Sequence, residues 1–370
     1  MRTLRLVGLL LCFSACCHAY PTGPARVWKL LAESEEIWRG EVVETKGEEE
    51  GTALIRGQET PVQWYTATMR VDRVIKGHQP AGQGEFRFPF VNSPNSPSNH
   101  DLAKTYLIVF LSRQEGKLTV TDPGEEPAYV PRTPAEVVGE AHTPEELLAQ
   151  ELLRAAQGRE GQEADFDQPL GWFGEVIENP ALAPVAAFVA PTLQKWGETS
   201  PDGLMRGMAL GILIRFNWTP SYAAAGKFLL EEPRDEATEW GQDEVVIGIQ
   251  AVSDADPKAF RAAYLAQTGA ALSSAITPLL HRSMEMLRSD AAATLGGLGD
   301  KSAIPALIGA VDDESPHVRS TVTIALSFLT HKYDDAWSVG LNAPPEKLAA
   351  AVALWKDWWE KTGKARYGPK

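Results

Sequence analysis

Alternating apolar and polar positions dominate the first third of the chain. The period of two is typical of strands with one buried face, and an uninterrupted apolar run is typical of a strand buried on both faces. A short helical pattern at residues 27–31 precedes them. The strand-like segments are residues 37–43, 65–71, 86–90, 106–111 and 118–120. Five strands suffice for a small β-barrel.

Helical spacing replaces this alternation from Thr143 onward. Thr143-Pro144-Glu145-Glu146 fits a capping box, in which the hydroxyl and the glutamate satisfy free amides at a helix start. Residues 287–295 and 318–326 align without a gap at an offset of 31 residues. A turn, the apolar helix 303–308 and an acidic turn separate them. A period in this range indicates an array of helical pairs.

An arginine followed by a leucine seven residues later marks these inner helices. The step is clear in two copies and is also present in residues 204–213, whereas residues 224–270 depart from it. The signature residues are Arg206, Leu213, Arg288, Leu295, Arg319 and Leu326, with Asp312 and Asp313 in the acidic turn. The pattern resembles bacterial HEAT-like repeats. That resemblance implies an extended surface that binds proteins or peptides.

The strand order of the N-terminal part also resembles a known fold. Residues 40–43, 71–77 and 106–111 look like bacterial envelope modules with an OB-like, netrin/tissue-inhibitor-type barrel. Animal members of that fold depend on disulfides that this region cannot form, because it has no cysteine. The resemblance therefore implies the barrel alone, and protease inhibition through a cysteine-led edge does not carry over.

These patterns predict a two-domain protein of mixed class, with a small OB-like β-barrel followed by an all-α HEAT-like array. The predicted segments are a leader at residues 1–19, the β domain at 25–132, a linker at 133–143 and the helical domain at 144–370. A chain of 370 residues fits two domains.

The first 19 residues have the charged, apolar and small-residue regions of a secretory signal peptide. All three cysteines, Cys12, Cys16 and Cys17, lie there. Residues 17–19 suit ordinary signal peptidase, whereas residues 13–16 resemble a lipoprotein box that would leave a leader of residues 1–15 and lipidate Cys16. The sequence therefore predicts export to the periplasm or to a lipid-anchored place in the cell envelope, without a transmembrane helix.

Composition limits the chemistry that we expect. The formal net charge of −14 argues against nucleic acid as a partner. Nucleophile-elbow, phosphate-loop and zinc-helix motifs are missing from the sequence, so we expect no enzyme activity, cofactor or metal. The acidic runs 48–50 and 312–314 are interpreted as a solvated hairpin tip and as a repeat turn with N-capping acids.

A dense aromatic group lies near the C-terminus. Trp355, Trp358 and Trp359 follow a helix start at residues 344–346, and Leu348, Val352 and Trp355 share one helical face. We interpret the group as the terminal cap of the array, because the last repeat must seal its apolar face. A ligand-binding aromatic patch is the alternative.

The sequence thus predicts a non-catalytic protein-interaction scaffold of the bacterial cell envelope, with a protein or peptide partner. The alternative is an envelope peptidase inhibitor or ligand sensor that acts through the N-terminal barrel. HEAT-like repeats also occur in pigment-lyase subunits, but nothing in this sequence indicates a bilin substrate.

Overall fold

The fold is described from a computed structural model. It covers residues 27–55, 58–78, 80, 82–90, 104–122, 128–129, 139–157, 170 and 173–368. The predicted leader, including Cys16, lies outside these residues. The chain divides into two compact units, residues 1–180 and 181–370.

The described part of the first unit contains a mixed sheet of six strands. The helix α1 (Val27–Glu33) precedes it. The strands are β1 (Glu36–Ile55), β2 (Gln58–Lys76), β3 (Gly84–Phe90), β4 (Tyr106–Gln114), β5 (Lys117–Val120) and β6 (Ala128–Tyr129). Pairing follows the order β1-β2-β3-β5-β4, and β4 also pairs with β1, so the pairings return to the first strand. Among the described strands, the pairing of β3 with β5 is parallel and the others are antiparallel.

The alternation in the sequence corresponds to the core of this sheet. Ala67 and Met69 are completely buried, as are Leu107 and Leu111 on β4. Phe86 and Phe88 from β3 pack into the same cluster. The predicted period-two strands and the doubly buried fourth strand are therefore confirmed.

The expected hairpin tip at residues 48–50 is wrong. β1 continues to Ile55, and a register shift between Gly47 and Glu50 absorbs the glutamates without ending the strand. The Glu48 carboxylate accepts hydrogen bonds from the Thr66 hydroxyl and from Nε of Arg87, the latter at 2.8 Å. The Thr66 bond is the main cause of a lowered pKa at Glu48. The run therefore contributes a specific ion pair between β1 and β3.

The helix α2 (Pro144–Gln157) begins with the predicted capping box. The Glu146 amide donates to the Thr143 hydroxyl at 3.2 Å, and the Thr143 amide donates to the Glu146 carboxylate at 3.3 Å. This reciprocal pair satisfies two amides at the helix start.

A buried carboxylate connects α2 to the sheet. Glu151 is 1% exposed, and Arg39 from β1 lies 3.0 Å from its Oε2. Arg73 from β2 and Arg154 from α2 bind its Oε1. These contacts explain why α2 belongs to the same compact unit as the sheet, whereas the sequence assigned residues 144–157 to the helical domain. A short helix α3 (Gly174–Glu178) follows.

The second unit is helical throughout its described length. Its helices are α4 (Ala183–Thr199), α5 (Gly203–Arg215), α6 (Tyr222–Leu230), α7 (Glu236–Ser253), α8 (Pro257–Thr268), α9 (Leu272–Ile276), α10 (Glu285–Leu298), α11 (Ile304–Gly309), α12 (Pro316–Thr330), α13 (Pro345–Trp358) and α14 (Lys364–Tyr367). A β-sheet unit followed by a helical array confirms the predicted fold class. None of the described helices is long and apolar enough to cross a membrane.

Four helices of this unit, α5, α7, α10 and α12, pack side by side in that order. We call them the inner row. The first two approach closely because both backbones carry glycine at the contact: a Cβ at Gly207 would lie 2.0 Å from the carbonyl oxygen of Gly241. The helices α6, α8 and α9 contact one another in a second group. One continuous apolar core, from Leu210 to Trp355, fills the space between the inner row and the other helices.

Candidate functional site

The signature arginines occupy equivalent places in the inner row. Arg206, Arg288 and Arg319 are each the fourth residue of their helix. The leucines seven positions later, Leu213, Leu295 and Leu326, are completely buried in the core. The sequence signature therefore corresponds to one polar position at the start of each helix and one apolar position two turns further on.

Arg288 and Arg319 make the same main-chain contacts. Each donates from Nη1 to the carbonyl oxygens of the residues six and five positions before it, at 2.7–3.0 Å. Arg288 also donates to both carboxylate oxygens of Asp313, at 2.8 and 3.0 Å. This bond to Asp313 is the main cause of a raised pKa at Arg288. The arginines thus fasten each helix to the turns at its start.

Arg206 belongs to the same series. It donates to both oxygens of Glu231 at 2.9 Å, and Glu231 follows Arg206 by 25 residues, as Asp313 follows Arg288. The bond lowers the pKa of Glu231. The guanidinium also lies over the Phe228 ring, 4.5 Å from its centroid. The repeated spacing supports Arg206 as a member of the signature series.

In α7 the equivalent fourth residue is Glu239, so the charge is inverted there. Glu239 is 5% exposed, and its carboxylate accepts bonds from the amides of Ser283 and Met284, both at 3.0 Å. The Ser283 hydroxyl donates to it as well, at 2.6 Å. A carboxylate suits this place because the free amides before α10 carry partial positive charge. Sequence reasoning missed this residue, although Val246 follows it by seven positions.

An open cavity of about 430 Å³ lies at the junction of α7 and α10. Arg234, Asp235 and Glu236 line one side, and Met284 lines the other, with Glu239 between them. Asp235 caps α7 by accepting from the Thr238 amide at 2.8 Å, and its bond to the Thr238 hydroxyl lowers its pKa. The cavity therefore combines fixed charges with one flexible apolar side chain.

Asp312 and Asp313 in the acidic run at residues 312–314 bind different cations. Asp312 pairs with Lys356 of α13, which lowers the Asp312 pKa, and Asp313 binds Arg288. Capping of α12 falls to Ser315, whose hydroxyl accepts from the His317 amide at 3.1 Å. The expectation that the acids themselves are the N-cap is wrong. The described residues hold no group of three or more side chains arranged for a metal ion.

The C-terminal tryptophans pack into the array. Trp355 is completely buried, and its Nε1 donates to the Trp337 carbonyl at 2.8 Å. The centroid of its ring lies 4.7 Å from the ring centroid of Trp337 and 5.3 Å from that of Trp358. Trp358 and Trp359 are partly buried against the same core. This packing supports the interpretation that the group is the terminal cap of the array, and it does not favour the alternative of an open, ligand-binding aromatic patch.

Comparison with known proteins finds a similarity to HEAT repeats in the second unit. Residues 273–357 match the family model of HEAT repeats, and this range includes most of α9, all of α10, α11 and α12, and most of α13. Arg288 and Arg319 lie within the match, and Arg206 and Glu239 lie before it. No curated protein is detectably similar in sequence to the chain. HEAT repeats are typically non-catalytic and serve as scaffolds for protein interaction.

Proposed function

We propose that the protein is a non-catalytic scaffold that binds a protein or peptide partner through the edge of its inner row around the α7–α10 cavity. The observation that carries this proposal is the continuous row of four helices fastened by charged residues at one equivalent position. Stacked helices of this kind present an extended surface, and such surfaces usually bind other proteins.

The chemistry of the edge suits a polar, partly basic partner segment. Glu232 and Glu314 are each 88% exposed at their side chains, next to Arg282 and Arg288. Asp235 and Glu236 add charge at the cavity. An acidic rim of this kind favours approach of positive side chains and speeds association at low salt.

We further propose that the scaffold acts in the bacterial cell envelope. The support comes from the leader-like residues 1–19 and from the cysteines at positions 12, 16 and 17. Lipidation at Cys16 would anchor the protein to a membrane, and cleavage after Ala19 would release it. Mass spectrometry of the mature N-terminus distinguishes the two.

Partner capture tests the proposed surface. Full-length protein is cross-linked in native envelopes and compared with Glu236→Gln and Glu236→Lys, which remove or invert a negative charge at the cavity wall, and with Asp335→Lys, an exposed control in the loop before α13. We expect one recurrent partner that both cavity variants reduce at least about tenfold, the effect of losing roughly 1.4 kcal/mol of binding. Retention of that partner in the cavity variants at the level of the control contradicts the proposal.

A second candidate function rests on the first unit. The pairings return from β4 to β1, which supports a closed OB-like barrel of the netrin type. Under this alternative the barrel inhibits an envelope peptidase or senses a ligand. The warrant is fold analogy, so the test is direct: the full-length protein is added to solubilised envelope peptidase activity. Unchanged activity at micromolar protein removes the inhibitor alternative.

A further inference from the structure

Two aspartates meet inside the array at the interface of α7 and α10. Asp243 is 3% exposed and Asp290 is 6% exposed. Their carboxyl groups are placed to hydrogen-bond each other. Two carboxylates cannot form such a bond, because neither has a hydrogen to donate. One of the pair must therefore be a neutral acid in this arrangement.

Several charged groups lie near the pair. The pKa of Asp243 is affected by the carboxyl group of Asp290 and by that of Glu244, the residue that follows Asp243 in the chain. Arg215 from α5 acts on Glu244, and His317 from α12 acts on Asp290. The Oδ1 atom of Asp243 is buried without a hydrogen-bond partner. A second negative charge at this place would be both desolvated and repelled.

We propose that Asp243 and Asp290 share one proton across the α7–α10 interface, and that loss of this proton loosens the junction between the two halves of the inner row. Asp243 is the donor and Asp290 the acceptor. The two helices are joined by the bond while the proton is present and carry adjacent buried carboxylates when it leaves.

The acid–base properties of the two groups agree with this assignment. Burial, together with the charge of Asp290, raises the pKa of Asp243 well above its ordinary value. Burial raises the pKa of Asp290 to about 6, although its bond to Asp243 and the nearby His317 act in the opposite direction. Raised values mean that the folded array binds protons more tightly than the unfolded chain. Its stability therefore falls as pH rises from about 4 through 6, and falls further as Asp243 ionises.

The junction is also where the inner row is least regular. Glu239 replaces arginine there, and it receives the Ser283 and Met284 amides in place of a guanidinium. The contact of Glu239 with main-chain amides thus differs from the arginine–carboxylate pair that joins Arg288 to Asp313. The shared proton is the counterpart of that pair. This proposal concerns the array itself and requires no partner.

Hydrogen exchange on the full-length protein tests the proposal. Amide exchange in peptides from α7 and α10 is measured between pH 5 and pH 8.5 and corrected for the intrinsic pH dependence. We expect the protection factor to fall at least about tenfold in the wild type, the change that one unit of pKa difference produces. Asp243→Asn keeps a donor for Asp290 and removes one of the two titrating groups, so it should lose less protection than the wild type. Asp335→Asn, an exposed control, should behave as the wild type.

An equal fall in Asp243→Asn and in the wild type overturns the proposal. Infrared spectroscopy gives a second measurement that does not depend on how well a variant folds. At pH 7.5, where exposed carboxyl groups are ionised, the wild type should show the carbonyl band of a protonated carboxylic acid. Titration to higher pH should remove this band together with the protection of α7 and α10. A spectrum without the band at pH 7.5 also overturns the proposal.

Discussion

The two units bury carboxyl groups in opposite ways. Glu151 in the first unit is surrounded by the guanidinium groups of Arg39, Arg73 and Arg154, so its negative charge is compensated by cations. Asp243 and Asp290 in the second unit are compensated by a proton. Burial is costly for an isolated charge in either place. The difference teaches that a carboxylate beside cations fixes a structure, whereas a carboxyl pair makes its surroundings sensitive to pH.

The largest expected effect comes from removing the carboxylate of Glu151. Glu151→Gln leaves three guanidinium groups without their common partner, which should destabilise the first unit by about 3–5 kcal/mol. Urea unfolding, followed by circular dichroism of the sheet, measures the change. Glu49→Gln, an exposed change on β1, is the control. Equal stability of the two variants would break the comparison, because Glu151 would then contribute nothing beyond a surface charge.

Asp313 in the second unit is also compensated by a cation, Arg288. It therefore shows whether the stability effect comes from the cation or from the fold of the unit. The side chains of Arg288 and Asp313 are 7% and 10% exposed. Arg288→Leu removes the cation and four hydrogen bonds, and we expect a loss of about 2–4 kcal/mol. If Arg288→Leu were neutral in thermal unfolding, the contrast would reflect the two folds and not the nature of the compensation.

The carboxyl pair should respond in the opposite direction. At pH 7.5 Asp290 lies above its pKa of about 6 and carries a buried charge. Asp290→Asn removes that charge and should stabilise the array by about 1–2 kcal/mol, a gain that should disappear near pH 4. Guanidinium unfolding at the two pH values measures it. A destabilised variant at both values would show that Asp290 is compensated as fully as Glu151.

The smallest effect is expected at an exposed carboxylate. Glu146 accepts amide bonds at the start of α2 in contact with water. Glu146→Ala should cost about 0.5–1 kcal/mol, because water replaces the lost acceptor. The free energy of unfolding of Glu146→Ala is measured together with that of Glu151→Gln on the same helix. The smaller loss gives the baseline for an exposed carboxylate. A cost as large as that of Glu151→Gln would mean that burial does not determine these effects.

Much of the fold follows from local patterns. The period-two strands, the capping box at Thr143 and the seven-residue step from arginine to leucine each depend on one residue's own neighbours. The long β1 strand does not, because Gly47 and Gly51 look like turn residues until the register with β2 is known. The limit of the first unit was missed for a similar reason: Glu151 meets its arginines only after the sheet has formed.

In the candidate site, too, residues with a local sequence pattern could be predicted, and residues that depend on tertiary packing could not. Arg288 and Arg319 could be found because they repeat in sequence, and the spacing of Arg206 to Glu231 adds a third copy. Glu239 was missed because it reverses the sign of the expected charge and interacts with amides 44 and 45 residues later. The pair of Asp243 and Asp290 has no local signature either. Its partners come together only when α7 packs beside α10.

The signature arginines differ in what lies 25 residues further along the chain. Arg206 and Arg288 each reach an acid 25 residues further on, whereas the same step from Arg319 ends at Pro344, which has no side-chain acceptor. The Arg319 guanidinium instead donates to the carbonyl oxygens of Asp313 and Glu314. The start of α12 is therefore fastened by main-chain acceptors, whose bonds do not depend on the ionisation of a carboxylate.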